Sequence, residues 1–492
     1  MEPNQSTATP EPPSPTTATS DDNGSPDSSP EVDFDRDTAD LTLPLTPCWA
    51  VSDSHSPPPS PSRLNQSLTS PLEALALNNT ASSISSLHGS LNASLSPPPS
   101  PCGLPLTLEN LPPELLLHIL WYLEPKFIVC TLGRVSKFFH ALVSEPITWK
   151  IRMGKRWPRG QQYPPMEVPD DFNWQQACME REETDRLWSD PKENIHHFTL
   201  DRHFATVDAV HLMQNGTMCV SGSRDRTAKI WDLSKLTPGE PIPNDAVVKS
   251  LELHRGWVWC LSSLDNTLCT GSWDTAIKLW DLNANCQLIT SIKERSAVLC
   301  TQILPDILVA GSYDKRISIY DVRAEYQPIT TLRQHQKPVL CVAADEDYIV
   351  SCSEDRTVKV WDRRACQIYK TIQLEKFCMS MWYGQGMLLL GDRRGQVHMY
   401  STGDGGFEEI ELFYFQTIEA HGNKVTGVHY TLGGLYTCST DKTIKIHEPC
   451  SQPTAICTLA ETKGEVADIC VQAGVVASAH SDFSVGIWRP AM

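Results

Sequence analysis

The chain has 492 residues, with 41 Lys/Arg against 59 Asp/Glu and a formal net charge of −18. That balance argues against general binding to nucleic acid or to an anionic membrane, and no apolar run is long enough to cross a bilayer. No basic stretch leads into an apolar one at the start, and the 17 cysteines form no Cys-x-x-Cys pair, so the expectation is an intracellular protein of cytoplasm or nucleus whose thiols are buried core residues, not disulfides or metal ligands.

Residues 1–103 are expected to form a disordered tail. Up to residue 101 the stretch holds 18 of the 37 prolines and 12 Asp/Glu against two Lys/Arg. It has too few large apolar side chains to offset chain entropy by burial. Ser-Pro or Thr-Pro pairs stand at Thr9, Ser14, Ser25, Ser29, Thr46, Ser56, Ser60, Ser70, Ser96 and Ser100. Phosphorylation there would add negative charge.

Composition turns apolar at 104–152. Pro112 and Pro113 suit a first helical turn, and Leu116, Ile119, Leu120 and Leu123 follow at helical spacing. A second periodic stretch covers 127–142, and Pro146 opens a third short helix with Ile147, Trp149 and Ile151. Three such helices bury little area alone, so the pattern reads as a small helical unit with apolar surface to spare. Leu111-Pro112-x-Glu114, Ile119, Leu123, Val135-Ser136-Lys137 and Trp149 together resemble the F-box. The resemblance implies binding of the Skp1 adaptor of cullin–RING ubiquitin ligases. Leu111, Pro112, Glu114, Ile119, Leu123, Leu132, Val135 and Trp149 would supply the contact or support it from the core.

Residues 153–193 are expected to be a helical linker, with an amphipathic helix over 175–188 that spaces Trp174, Cys178, Arg181 and Trp188. The pattern becomes strand-like at Ile195–Leu200.

From 194 to 492 one pattern repeats: a small residue, an Asp three positions on, then an apolar strand ending in an aromatic. The terminal positions are Trp231, Trp280, Tyr320, Trp361, Tyr400, His447 and Trp488, spaced by 39 to 49 residues. A period near 40 ending in Trp-Asp resembles the WD40 repeat and implies a seven-bladed β-propeller. The last repeat lacks an outer strand, and Ile195–Leu200 is the spare strand expected to pair beside Trp488 and close the ring. The resemblance also implies a buried Trp–Ser/Thr–His–Asp chain. The second repeat (Trp280, Thr270, His254, Asp274) and the fourth (Trp361, Ser351, His335, Asp355) hold all four members. A catalytic reading of these residues is poor, because the same group recurs around a ring whereas catalysis needs one site. The fifth repeat, with Arg394 in place of Asp and Leu390 in place of the hydroxyl, is expected to be the softest.

In propellers of this type the narrow face is built from a few positions per blade. Mapped by that resemblance, they are Trp257, Trp259 and Trp273 in the second blade, Leu299 and Tyr313 in the third, Leu340 in the fourth, Phe377, Met379 and Arg393 in the fifth, and Arg224 in the first. Three Trp on one rim mark an exposed apolar patch, the usual sign of a binding site. A phosphopeptide reader would need more converging Arg, so an aromatic-anchored protein segment is the expected ligand.

The order of tail, F-box, helical spacer and seven repeats resembles the F-box/WD-repeat family over about residues 106–490. The implied role is a non-catalytic substrate receptor of an SCF (Skp1–cullin–F-box) E3 ubiquitin ligase, needing no cofactor or metal and acting by proximity. The competing reading is a scaffold that docks Skp1 without ubiquitin transfer.

Overall fold

The computed structural model describes residues 108–491 apart from 159–162, 166–167, 169–171, 403–406, 410–419 and 460–461. The tail at 1–103 and its Ser-Pro sites lie outside the described residues. Among those described, no helix is long and apolar enough to cross a membrane.

Short helices come first: α1 (Pro113–Trp121), α2 (Pro125–Cys130), α3 (Lys137–Ser144) and α4 (Pro146–Arg156). Three of the four carry Pro at the first helical position, where its missing N–H costs nothing. The single helix expected over 127–142 is broken in two. A 3-10 turn, Leu132–Arg134, follows α2, and extended Ser136 restarts the chain as the cap of α3, its hydroxyl accepting from the Phe139 amide at 3.3 Å. Leu116, Leu120, Ile128, Phe139, Leu142 and Trp149 share one core with Cys178 of the helix that follows. Arg152 ties it together from within, donating to the carbonyls of Leu120 (2.7 Å) and Leu123 (2.8 Å) and to the Glu182 carboxylate.

The linker helix α5 (Trp174–Ser189), capped by Asn173, faces two ways. Cys178 and Glu182 meet the helical module. Leu187 and Trp188 enter the core of the sixth and seventh blades, where Trp188 lies edge-on to Tyr436 at 6.3 Å. Gly433, in the turn Thr431–Gly434 of the sixth blade, permits this close seat. A Cβ there would lie 2.6 Å from the Glu180 carbonyl oxygen, and nearer still to the Thr184 hydroxyl. Tyr163 adds a bond to the same turn, donating to the Leu432 carbonyl at 2.7 Å.

Seven four-stranded antiparallel sheets follow. Six run in sequence order from inner to outer strand. The seventh takes Ile195–Leu200 as its outer strand, antiparallel to Val485–Pro490, with His197 opposite Trp488 and stacked on it at 4.7 Å. The seam is also held inside, where the Val210 amide donates to the Asp468 carboxylate at 3.0 Å. Where the small residue of a repeat is glycine it has a packing cause. A Cβ on Gly271 would come 2.9 Å from Val298 of the next blade, and one on Gly311 2.8 Å from Val339.

The expected hydrogen-bond chains form in the second and fourth blades. His254 reaches Asp274 (3.0 Å) and Thr270 (2.7 Å), and Trp280 donates to Thr270 at 3.1 Å. His335, Asp355, Ser351 and Trp361 repeat this at 2.9–3.0 Å. The direction follows from the groups: an indole N–H only donates, so the hydroxyl accepts it and passes its own proton to Nε2, leaving Nδ1–H for the carboxylate. The first blade holds a complete chain too, through His203, which bonds Asp225 and Ser221 at 2.7 Å each, with Trp231 donating to Ser221 at 2.8 Å. It stands 22 residues before its Asp rather than 20, so a fixed spacing overlooks it. In the sixth blade His447 replaces Trp, 3.2 Å from Thr437. In the third, Tyr320 donates directly to Glu294.

In the fifth blade Asp392, two residues upstream of the expected place, accepts from the amides of both Arg394 and Gln396 at 2.8 Å. One carboxylate thus does the work that Ser272 and Asp274 share in the second blade. Gly395 (φ +90°) occupies the left-handed position that Thr275 fills there. The turn expected to be weakest is therefore held.

Two outcomes follow. Gly433→Ala pushes α5 off the sixth blade at a cost of about 1–3 kcal/mol, which hydrogen exchange reads as faster amide exchange in Trp174–Ser189 than in wild type. Unchanged exchange contradicts the seating. The second concerns pH. Burial lowers His211, His429 and His480 to about 4, below their unfolded value of about 6.5. Their contribution is complete above pH 6.5 and is lost as pH falls toward 4. Asp468, pushed up to about 7 by burial, works the other way, gaining as pH falls below 7, and Asp185 and Asp208 are also raised, but they stand against six histidines that burial lowers, His335, His421 and His447 included. The melting temperature should fall between pH 7.5 and 5, and a flat or rising profile contradicts the account.

Candidate functional site

Equivalent backbone bonds place the predicted face residues at one level of the ring. The amide before each turn aspartate, or its counterpart, donates to the residue that precedes the inner strand. Arg224 bonds Thr206, Trp273 bonds Trp257, Tyr313 bonds Ala297, Glu354 bonds Pro338, and Thr440 bonds Lys424. All but one of these bonds measure 2.9–3.1 Å, the last 3.2 Å.

On this level the aromatic residues converge. Trp273 is the centre, with Trp257 at 5.7 Å, Trp259 at 5.8 Å and Tyr313 at 5.9 Å between ring centroids. Each Trp is half-buried and Tyr313 is exposed. The Trp273 indole nitrogen is buried without a hydrogen-bond partner. The edge-to-face contacts with Trp257 and Trp259 put the patch within the favoured aromatic geometry. Arg224 crosses from the first blade, its guanidinium 4.8 Å above Trp257 and 5.7 Å from Trp259. Asp208 holds it there through Nε at 3.0 Å and Nη2 at 3.2 Å. Burial pushes the Asp208 carboxyl up, with Arg224 opposing. The result is a planar cation laid on an aromatic platform with part of its donor edge facing outward, as its 39 % side-chain exposure requires.

Phe377 and Arg393 form a second pair, 5.5 Å apart. Leu340 and Met379 are half-buried on their inner strands. Leu299 departs from expectation: at 3 % exposure it lies inside the ring and offers the face nothing. Its neighbours bury it at the position where the second blade instead carries the bulky Trp259.

The helical module presents a different surface. Ile119 and Val135 are exposed, Val135 at 68 %, and Pro112 and Glu114 lie exposed beside them. Leu111, Leu123 and Leu132 are partly buried against the module's core. Trp149 belongs wholly to that core, its indole donating to the Val143 carbonyl at 2.7 Å, so it supports the surface and does not form it. Sequence reasoning missed Leu108, Leu115, Tyr122 and Phe127, all exposed, Tyr122 at 76 %. For Leu115 and Tyr122 the available signal was the apolar run at 115–123, interrupted only by His118, since a surface helix needs only one apolar stripe.

Comparison with known proteins covers both the helical module and the ring. A family model described as "WD domain, G-beta repeat" matches residues 195–232, 246–281, 326–362 and 414–448. These four segments hold the blades with a His–Asp–hydroxyl chain. A model described as "F-box-like" matches residues 108–152. F-box/WD repeat-containing protein 9 of Bos taurus is 36% identical over 388 residues, 78% of this chain and 82% of that protein. Its Homo sapiens namesake gives the same figures. F-box/WD repeat-containing protein mec-15 of Caenorhabditis elegans is 26% identical over 409 residues, 79% of this chain and 97% of that one. Propellers preceded by an F-box are typically adaptors without catalysis of their own. Helical module, closed ring and relatives agree, and the chain belongs to the F-box/WD repeat-containing protein family.

Proposed function

We propose that this protein is a substrate receptor of an SCF-type ubiquitin ligase, working where such ligases work, in cytoplasm or nucleus. In this reading residues 104–152 dock the Skp1 adaptor, 153–193 set the distance, 194–492 capture the protein to be modified, and 1–103 form a tail open to phosphorylation. The observation that carries it is two separate exposed surfaces on one compact unit: an apolar helical face with Ile119, Tyr122, Phe127 and Val135, and the aromatic face around Trp273. Exposed apolar side chains on so small a module favour a partner surface of matching chemistry. Leu111, Pro112, Glu114, Leu123 and Leu132 shape that surface from its edge.

The ring supplies binding, not chemistry. An apolar or aromatic side chain of the substrate packs on Trp257, Trp259, Trp273 and Tyr313. The free edge of Arg224 takes a carboxylate or carbonyl beside it. Phe377, Met379, Leu340 and Arg393 extend the contact across the opening. Capture raises the concentration of substrate lysines near the charged conjugating enzyme.

Val135→Glu with Phe127→Glu should abolish co-purification of Skp1 while leaving the melting temperature of the ring unchanged; retained Skp1 refutes the docking face. Trp257→Ala with Trp273→Ala removes two central anchors, each worth about 2 kcal/mol or more, so substrate capture should drop by at least about 30-fold. Skp1 binding should stay intact. Proximity labelling with the double variant reads the result, and an unchanged set of labelled proteins refutes the aromatic face.

A further inference from the structure

A cavity of about 270 Å³ lies where the F-box helix α4, the linker and the sixth blade meet, lined by Lys150, Trp157, Tyr163, Trp174, Arg181 and Glu448. Its chemistry is unusual for a joint. Arg181 is 5 % exposed, and its guanidinium lies between the rings of Trp157 (4.1 Å) and Tyr163 (4.5 Å). Among the described residues that guanidinium has no hydrogen-bond acceptor. Its ionic partner, Glu448, stands 3.7 Å away, beyond hydrogen-bond reach. Among the described residues no acceptor meets the N–H donors of this buried cation, which lines the cavity. A buried charge without acceptors is costly, and burial accordingly lowers the pKa of Arg181. A second cation, Lys150, sits 5.3 Å over Trp174 on the same wall. Among the described lining residues two cations stand against one carboxylate, a net positive balance. The remaining wall is aromatic.

We propose that this cavity binds a small organic anion: a carboxylate or phosphate that accepts from Arg181 in bidentate fashion, carried on a flat apolar body that stacks between Trp157 and Trp174. A planar guanidinium fork matches such an anion in geometry as well as charge. Because the walls come from the F-box helix, the linker and the propeller, an occupant bridges all three and fixes the angle between the two binding surfaces. Inorganic anions alone would leave the aromatic walls unused, so the ring-bearing part contributes to affinity.

Gly154 makes the test clean. It lines the cavity on α4, and a Cβ there meets nothing within 4 Å, so Gly154→Trp fills the space without displacing backbone. The probes are a panel of aromatic carboxylates headed by 1-naphthoate, each beside its neutral carboxamide, titrated into the full chain by calorimetry and tryptophan fluorescence. The expected result is saturable binding at one site, with the acid favoured over the amide by at least about tenfold, the worth of a charged hydrogen bond. Gly154→Trp should abolish it without lowering the melting temperature. Lys150→Glu, a substitution of an exposed residue, should weaken it severalfold. Equal affinity for acid and amide overturns the proposal, as does binding undiminished in Gly154→Trp. Absence of saturation by every acid of the panel up to about 1 mM, an affinity of only about 4 kcal/mol, overturns it as well.

Discussion

The pairing of Ile195–Leu200 with Val485–Pro490 is the constraint on which everything else rests. It completes the seventh sheet and ties the start of the ring to its end. It also anchors what precedes it, since the four-residue helix Pro191–Asn194 joins α5 directly to this strand. The Ala491 amide donates to the Asn194 carbonyl at 2.7 Å, extending the clasp past the strand itself. A single antiparallel pair therefore serves two ends: it shuts the propeller and fixes the root of the helical handle. Slippage of one residue would turn Phe198 and Leu200 out of the core they share with Ile487.

From that root, rigidity is passed outward by unlike interactions. Trp188 and Leu187 hold α5 by apolar burial, Gly433 by the absence of a side chain, and Arg152 by charge and by the carbonyls at the end of α1. Arg152 and Glu182 are 8 % and 13 % exposed at their side chains. A pair buried this far is stabilising only when its remaining donors are met, and here the Leu120 and Leu123 carbonyls meet them. On α5, one residue before Glu182, Arg181 has no such acceptors among the described residues. The contrast between Arg152 and Arg181, both deep in the joint, separates a structural ion pair from a charge still open to a ligand.

How much of this was legible in the sequence depended on whether a feature was local or shared. The seven repeats were readable because a turn aspartate, a small residue and a terminal aromatic recur in register, each for a packing or hydrogen-bonding reason. The closing strand was readable by elimination. Features set by compensation were not. His203 was hidden by two extra residues before Asp225, and Asp392 by doing two residues' work from an unexpected place. Leu299 was misread because equivalent positions do not guarantee equal exposure: side-chain bulk and neighbours decide it. The aromatic cluster was foreseen as three Trp on one rim, whereas the Arg224 stack joins two blades and belongs to the fold rather than to any single segment.

Closure by an upstream strand also dictates an order of assembly. Leu200 and Val485 are neighbours in space yet nearly three hundred residues apart along the chain. During synthesis the helical module leaves the ribosome early and buries its own core, while the clasp at its base must wait for the final strand, a delay on the order of tens of seconds at ordinary translation rates. Through that interval the newborn chain carries a module with exposed apolar side chains on an unanchored stalk. A partner able to cover this surface would then protect it from aggregation while the ring is still open.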